Sequence, residues 1–216
     1  MIRLIVFIIG YVFGLFQTGY IYGKMNGIDI RKSGSGNAGT TNALRTLGLK
    51  AGLITLAGDL GKCILAVLLT WLLFHKQYPD LVPLLKIWTS AGVIIGHDFP
   101  FYLGFKGGKG IAATGGMIIA FGDPLLIIIG LAVFISLFLI THYVSLASLC
   151  LSISFLAGVI IRGSLGRYGM LQPQRMELYL IVVVLTAIAF YGHRGNIDRL
   201  IHGCERKTYL YKKSDL

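Results

Sequence analysis

The sequence predicts an all-α integral membrane protein of about seven transmembrane helices, some of them short, with Gly-rich loops gathered on one side. Three observations carry this. Of 216 residues, 55% are hydrophobic and 13% charged, whereas a soluble domain carries about 25% charged residues. Long apolar runs recur through the whole length, so residues 1–216 are expected to form one membrane-embedded domain rather than a soluble domain with an anchor. The runs lack the strict alternation that barrel strands require.

A helix crossing the hydrocarbon core needs about 20 apolar residues. Runs at about 3–23, 51–74, 82–97, 144–161 and 177–192 meet or approach that length. Gly10 and Gly14 form a small-xxx-small pair in the first, suited to close helix packing. That run is about twenty residues long, lacks an A-x-A site and is followed by positive charge, so it reads as a retained helix rather than a signal peptide. A longer stretch from Ile111 to Ile140 is interrupted by Gly122-Asp123-Pro124. Gly-Asp-Pro is a turn signal and Pro ends helices, so two helices are expected, at about 111–122 and 125–141; a re-entrant hairpin is the alternative.

Net charge is +11, from 20 Lys+Arg against 9 Asp+Glu. In a membrane protein this reflects cytoplasmic loops and anionic headgroups or substrates, not nucleic acid. With seven spans, Lys24, Arg31, Lys32, Arg45, Lys50, Lys106, Lys109, Arg194, Arg199, Arg206, Lys207, Lys212 and Lys213 share one side. The other side receives Arg3, Lys76, Arg162, Arg167 and Arg175. The basic side is cytoplasmic by the positive-inside rule, placing the N-terminus outside and the C-terminus inside. Cys63, Cys150 and Cys204 form no framework and read as free thiols.

Three polar segments interrupt this apolar chain. The first, Ser33 to Arg45, holds Ser35, Gly36, Asn37, Gly39, Thr41 and Asn42. Its glycines let successive N–H groups converge on an anion, and Arg45 adds a fork suited to phosphate. A plain linker between spans needs no such decoration. The second, Gly96 to Gly110, contains His97, Lys106, Gly107, Gly108 and Lys109, and opens a helix near Ile111. Glycines at a helix start suit phosphate, but the Gly-Lys-Ser/Thr ending of a Walker loop is missing. Positive-inside anchoring is the plainer account of the two lysines.

The third segment runs from His193 through Arg194, Asn196, Asp198 and Arg199 to Glu205. By itself it resembles a basic amphipathic helix at the membrane surface, anchored by Tyr209 and Tyr211. Asp59 and Lys62, three apart in an apolar run, can pair along one helix face. Five scattered histidines and no carboxylate cluster give no support for a metal site.

The segments Ser35–Asn42, Gly96–Gly110 and His193–Glu205, in that order and spacing, resemble the bacterial acyl-phosphate:glycerol-3-phosphate acyltransferases, the PlsY family. Asp59 with Lys62 and the run Tyr143–Ser148 match as well. Gly195, where the family usually has Glu, and Asp198, where it usually has a basic or polar residue, depart from the pattern. The resemblance covers nearly the whole chain. It implies acyl transfer from acyl phosphate to the 1-hydroxyl of glycerol 3-phosphate at the cytoplasmic face of the bacterial inner membrane, with no cofactor. It implies catalytic roles for His193, Asn196, Lys109 and Ser35. Substrate binding would involve Gly36, Asn37, Gly39, Thr41, Asn42, Arg45, His97, Lys106, Gly107, Gly108 and Glu205. The soluble enzyme that makes acyl phosphate is a candidate partner, beside membrane lipids. The alternative function, a small anion or phospholipid transporter, would place its polar groups near the bilayer midplane and often shows internal repeats; neither is evident here.

Overall fold

The structure, a computed structural model, describes residues 1–209. Tyr211, Lys212 and Lys213 lie outside the described residues. Among those described, every regular element is helical. The order is α1 (Ile2–Gly14), α2 (Thr18–Met25), α3 (Thr40–Leu47), α4 (Leu49–Phe74), α5 (Val82–Asp98), α6 (Ile111–Phe121), α7 (Pro124–Thr141), α8 (Val144–Ser164), α9 (Gln172–Gly192) and α10 (Arg194–Ile201). Among the described residues, five stretches are long and apolar enough to cross a membrane: 2–25, 49–74, 124–141, 144–164 and 172–192. The other two expected spans are shorter, 17 residues in α5 and 11 in α6. Eleven residues at the helical rise make α6 roughly 16 Å long, about half of a hydrocarbon core.

The faces of these helices fit a lipid solvent. Ile128, Leu131, Ile135, Leu139 and Ile140 of α7 are all exposed, a stripe that water would not tolerate. The protein is a multi-pass membrane protein. Helix contact in lipid depends on close packing rather than on hydrophobic exclusion. The tightest crossing obeys that rule: Gly10 and Gly14 of α1 meet Gly92 and Gly96 of α5, so that a Cβ on Gly10 would strike the Thr89 carbonyl and one on Gly14 the Val93 carbonyl. The buried core lies among α4, α5, α6, α8 and α9, centred on Cys63, Leu84, Ile87, Met117, Phe155 and Leu178.

Two junctions shape the site. The first expected span is not one continuous helix but breaks at residues 15–17. The carbonyls freed by the break are taken by side chains from elsewhere. Lys62 Nζ donates to Phe16 O at 2.7 Å and Gly14 O at 3.3 Å, and Gln17 Nε2 donates to Gly14 O at 3.2 Å and His97 O at 2.9 Å. Such partners are what a broken helix needs inside a membrane. The second junction is the Gly-Asp-Pro turn. Gly122 takes a left-handed φ of 85°, Asp123 accepts from Leu125 N at 3.1 Å and pairs with Arg162, and Pro124 opens α7. The long apolar stretch is therefore two helices. α6 packs on α4 and α7 on α8, which leaves a slot between the two arms.

Candidate active site

All three polar segments line one cavity of about 790 Å³. Its first wall is the loop before α3, which one buried side chain organises. The Asn42 amide donates to the carbonyls of Ile30, Ser33 and Asn37 at 2.8, 3.0 and 2.9 Å, while its oxygen accepts from Ser35 N at 2.8 Å. Asn42 thus shapes the loop and keeps no free donor for a ligand. Gly34 and Gly36 supply the left-handed turns, with φ of 62° and 74°. Asn37 accepts from Gly39 N at 3.0 Å and donates to Gly107 O at 3.4 Å, tying the first loop to the second. Ser35, Gly36, Gly39 and Thr41 face the cavity, and Thr40 Oγ1 is buried there without a partner among the described residues. Arg45 Nη2 reaches the cavity from α3 and donates to Thr208 Oγ1 at 2.6 Å and Arg206 O at 3.1 Å.

The second wall follows α5. Gly107 N bonds Asp98 O at 3.0 Å and Gly108 N bonds His97 O at 3.1 Å, folding the loop back along the helix end. The fit demands glycine: a Cβ on Gly108 would overlap the His97 ring, and one on Gly107 the His97 carbonyl. Gly107 and Gly108 therefore bring the backbone close to His97 and do not themselves line the cavity. Lys109 does line it, at the start of α6, with its ammonium bonded to Asn196 Oδ1. Burial, then the nearby Arg199, pull the Lys109 ammonium below the ordinary lysine value. Lys106 stands apart: it is exposed and outside the cavity, contrary to its expected place in the substrate site.

The third wall is the tail. Glu205 is its hub, accepting from Asn196 Nδ2 at 2.6 Å, Arg199 Nε at 2.7 Å and Ser145 Oγ at 2.9 Å. Burial alone would raise the Glu205 carboxyl; these three donors and the Arg199 charge more than offset it and hold it below the usual range. Held by Glu205 on one side, the Asn196 amide turns its oxygen toward Lys109. His193, at the end of α9, has Nδ1 2.7 Å from the Ala189 carbonyl. A carbonyl only accepts, so Nδ1 carries the proton and Nε2 is left with a lone pair. Burial, followed by Lys109, pushes the His193 imidazole down to about 4, so it is neutral at physiological pH.

The sequence did not single out Ser145, Arg199 or Arg206 as site residues, yet all three line the cavity. Ser145 opens α8 directly after an interhelical turn, the one local sign that it faces the loops. Arg45, Lys109, Arg194, Arg199 and Arg206 outnumber Asp59 and Glu205, so this end attracts anions. The opposite end is apolar and enters the slot between α6 and α7 past Leu60, Ile118, Ile127, Leu131 and Phe134. The cavity as a whole suits an amphiphile with an anionic head. Among the described residues no group of three His, Cys, Asp or Glu side chains is placed to hold a metal ion.

This architecture has known counterparts. The family model described as glycerol-3-phosphate acyltransferase matches residues 4–203. A glycerol-3-phosphate acyltransferase of Bacillus subtilis is 39% identical over 212 residues, covering 96% of this chain and 98% of its own. One from Trichlorobacter lovleyi is 38% identical over 197 residues, covering 91% and 93%. Among solved structures, PlsY, an integral membrane glycerol 3-phosphate acyltransferase, superposes in its glycerol 3-phosphate form with a TM-score of 0.82 at 31% identity, covering 96% of both chains. Its lysophosphatidic acid form gives 0.79 at 30% identity. With a family match across nearly its whole length and relatives at this identity, the chain belongs to the glycerol-3-phosphate acyltransferase family, enzymes of phospholipid synthesis.

Proposed function

We propose that the protein transfers a fatty acyl group from acyl phosphate to the 1-hydroxyl of glycerol 3-phosphate, giving lysophosphatidic acid and inorganic phosphate. The observation that carries this reading is a single cavity with two Gly-rich basic walls at one end and an apolar slot at the other. Two phosphates and one acyl chain need that division. The basic segments are assigned to the cytoplasmic face of the inner membrane, with seven crossings and the N-terminus outside.

The acceptor oxygen attacks the acyl carbonyl carbon, the bond from that carbon to the phosphate oxygen breaks, and phosphate departs. An acyl phosphate is a mixed anhydride with a good leaving group, so positioning and charge stabilisation dominate and no covalent enzyme intermediate is needed. Lys109, with Asn196 set beside it, stabilises the departing phosphate. Arg45 and the Ser35 loop hold the glycerol 3-phosphate head. His193 Nε2 accepts a hydrogen bond from the attacking hydroxyl and orients it. An imidazole near 4 holds a proton poorly, whereas a phosphate monoester has its second ionisation near 6, so the proton passes to substrate phosphate.

Purified protein given glycerol 3-phosphate should form lysophosphatidic acid and release phosphate in equal amounts with acyl phosphate as donor, and form none with acyl-CoA. A folded protein that uses acyl-CoA and ignores acyl phosphate would refute the donor assignment. Removing the orienting histidine by His193→Ala should lower kcat up to about tenfold, the worth of one hydrogen bond of about 0.5 to 1.5 kcal/mol. The acidic limb of the pH–rate profile should stay near pH 6 in that variant. Loss of the limb would make His193 the base. The acyl slot gives a third expectation. Gly115 faces it, and a Cβ there would meet only Leu60 Cδ1 at 3.9 Å. Gly115→Leu should lower kcat/KM for palmitoyl phosphate at least about tenfold, the worth of one or two buried methylenes. Octanoyl phosphate should be nearly unaffected; equal losses for both donors would remove Gly115 from the slot.

A further inference from the structure

A buried polar knot under the second wall has no part in the chemistry described so far. Lys62 and Asp59 sit in the middle third of α4, 5% and 1% exposed. Ionisable groups so deep in a membrane protein are costly and need partners. The Lys62 ammonium has three protons, and three acceptors stand within 2.9 Å: Phe16 O at 2.7 Å, Asp59 Oδ1 at 2.9 Å and His97 Nδ1 at 2.7 Å. Thr18 Oγ1 adds a 3.1 Å bond to the same Asp59 oxygen. All three Lys62 protons are thus used inside the knot, and Lys62 does not line the cavity. His97 does.

Resting on the acyltransferase reading, we propose that Lys62, held by Asp59, is a positioning residue that fixes His97 as the Nε2–H tautomer, so that His97 offers a neutral N–H to the phosphate held by Lys109. The contact chemistry demands this sense. An ammonium only donates, so Nδ1 must present its lone pair, and the one proton of a neutral imidazole then sits on Nε2. Nε2 is the ring atom that lies against Gly108, where a side chain would overlap it. The His97 carbonyl is pinned as well, accepting from Gln17 Nε2 at 2.9 Å and Gly108 N at 3.1 Å, so neither the backbone nor the ring can turn away. The two cavity histidines therefore take opposite roles. His193 is fixed by a carbonyl as an acceptor, and His97 is fixed by an ammonium as a donor. A neutral donor here grips an anion without adding another buried charge beside Lys109.

Nitrogen-15 NMR of imidazole-labelled wild-type protein in lipid nanodiscs tests this, with His97→Ala identifying the signals. The expected spectrum shows Nδ1 unprotonated and Nε2 protonated at neutral pH, and the Nε2 signal moves on titration with inorganic phosphate. An Nδ1–H tautomer, an imidazolium, or an Nε2 signal indifferent to phosphate overturns the proposal, and each of these is read on wild-type protein. A cycle separates positioning from mere stability. Lys62→Met with Asp59→Asn, removing both charges together, should raise KM for acyl phosphate about tenfold, as loss of one hydrogen bond to a charged group does, and release the tautomer. Added to His97→Ala, the pair should cost nothing further in KM, because Lys62 acts through the ring. Full additivity would mean that Lys62 only closes the helix break. Failure here leaves wild-type acyl transfer intact, whereas failure of the acyltransferase reading shows as no transfer by wild-type protein.

Discussion

Lys109→Met is expected to lower kcat/KM by about 10² to 10³-fold, the loss that removing one preorganised donor to developing charge produces. At 1.36 kcal/mol per decade this is about 3 to 4 kcal/mol of transition-state stabilisation. The size follows from where Lys109 stands. Its ammonium lies at the start of α6, buried enough to be pulled below the ordinary lysine value, and bonded to an Asn196 oxygen that Glu205 holds in place. A poorly hydrated charge exchanges little water when phosphate arrives, and acts in a medium where charges interact strongly. Met keeps most of the volume and removes the charge, so initial rates should fall while the thermal unfolding midpoint holds. Lys106, directly before the same glycine turn but exposed outside the cavity, gives the contrast. Lys106→Ala should change kcat/KM no more than loss of an exposed charge does, about threefold. Equal effects at the two lysines would reduce the cradle to a general positive field.

Arg45→Ala is expected to raise KM for glycerol 3-phosphate about 10 to 100-fold with a smaller change in kcat, the worth of a charge-assisted hydrogen bond to phosphate. Arg45→Lys should recover little, since a point charge does not reproduce the planar fork. Arg45 also ties down the tail, donating to Thr208 Oγ1 and Arg206 O. Thr208→Val removes the first of these bonds and keeps the guanidinium in place. If Arg45 works by gripping phosphate, Thr208→Val should leave KM largely unchanged, because the guanidinium still reaches the cavity. If it works by holding the tail, both variants should suffer alike. Lys213→Ala, outside the described residues, serves as the control with little effect.

Much of this was legible because the deciding signals are local. Gly122-Asp123-Pro124 marks a helix boundary by backbone chemistry alone, and the structure breaks the long apolar stretch there. The glycines of the first two loops announce tight backbone approaches. What stayed hidden depends on partners far along the chain. Residues 15–17 contain no proline or glycine, and the helix breaks there because Lys62 and Gln17 supply donors to its carbonyls. Gly10 and Gly14 were readable as a packing face, but not that Gly92 and Gly96 would answer them. Asn42 looked like a ligand donor and commits its amide to four backbone groups instead. Lys106 and Lys109 share a glycine-rich segment, and only the fold of Gly107 and Gly108 against His97 separates an outside lysine from an inside one. Arg199 entered the site through Glu205, a contact that closes only when the tail turns back after α10.

In the proposed reaction both substrates meet in one cavity and the acyl group passes directly between them. Phosphate release on rapid mixing of protein with acyl phosphate, in the absence of glycerol 3-phosphate, distinguishes this from a two-step route. Direct transfer predicts no burst, with phosphate appearing only when the acceptor is added. A burst equal to the amount of protein would reveal an acyl-enzyme and rule out direct transfer.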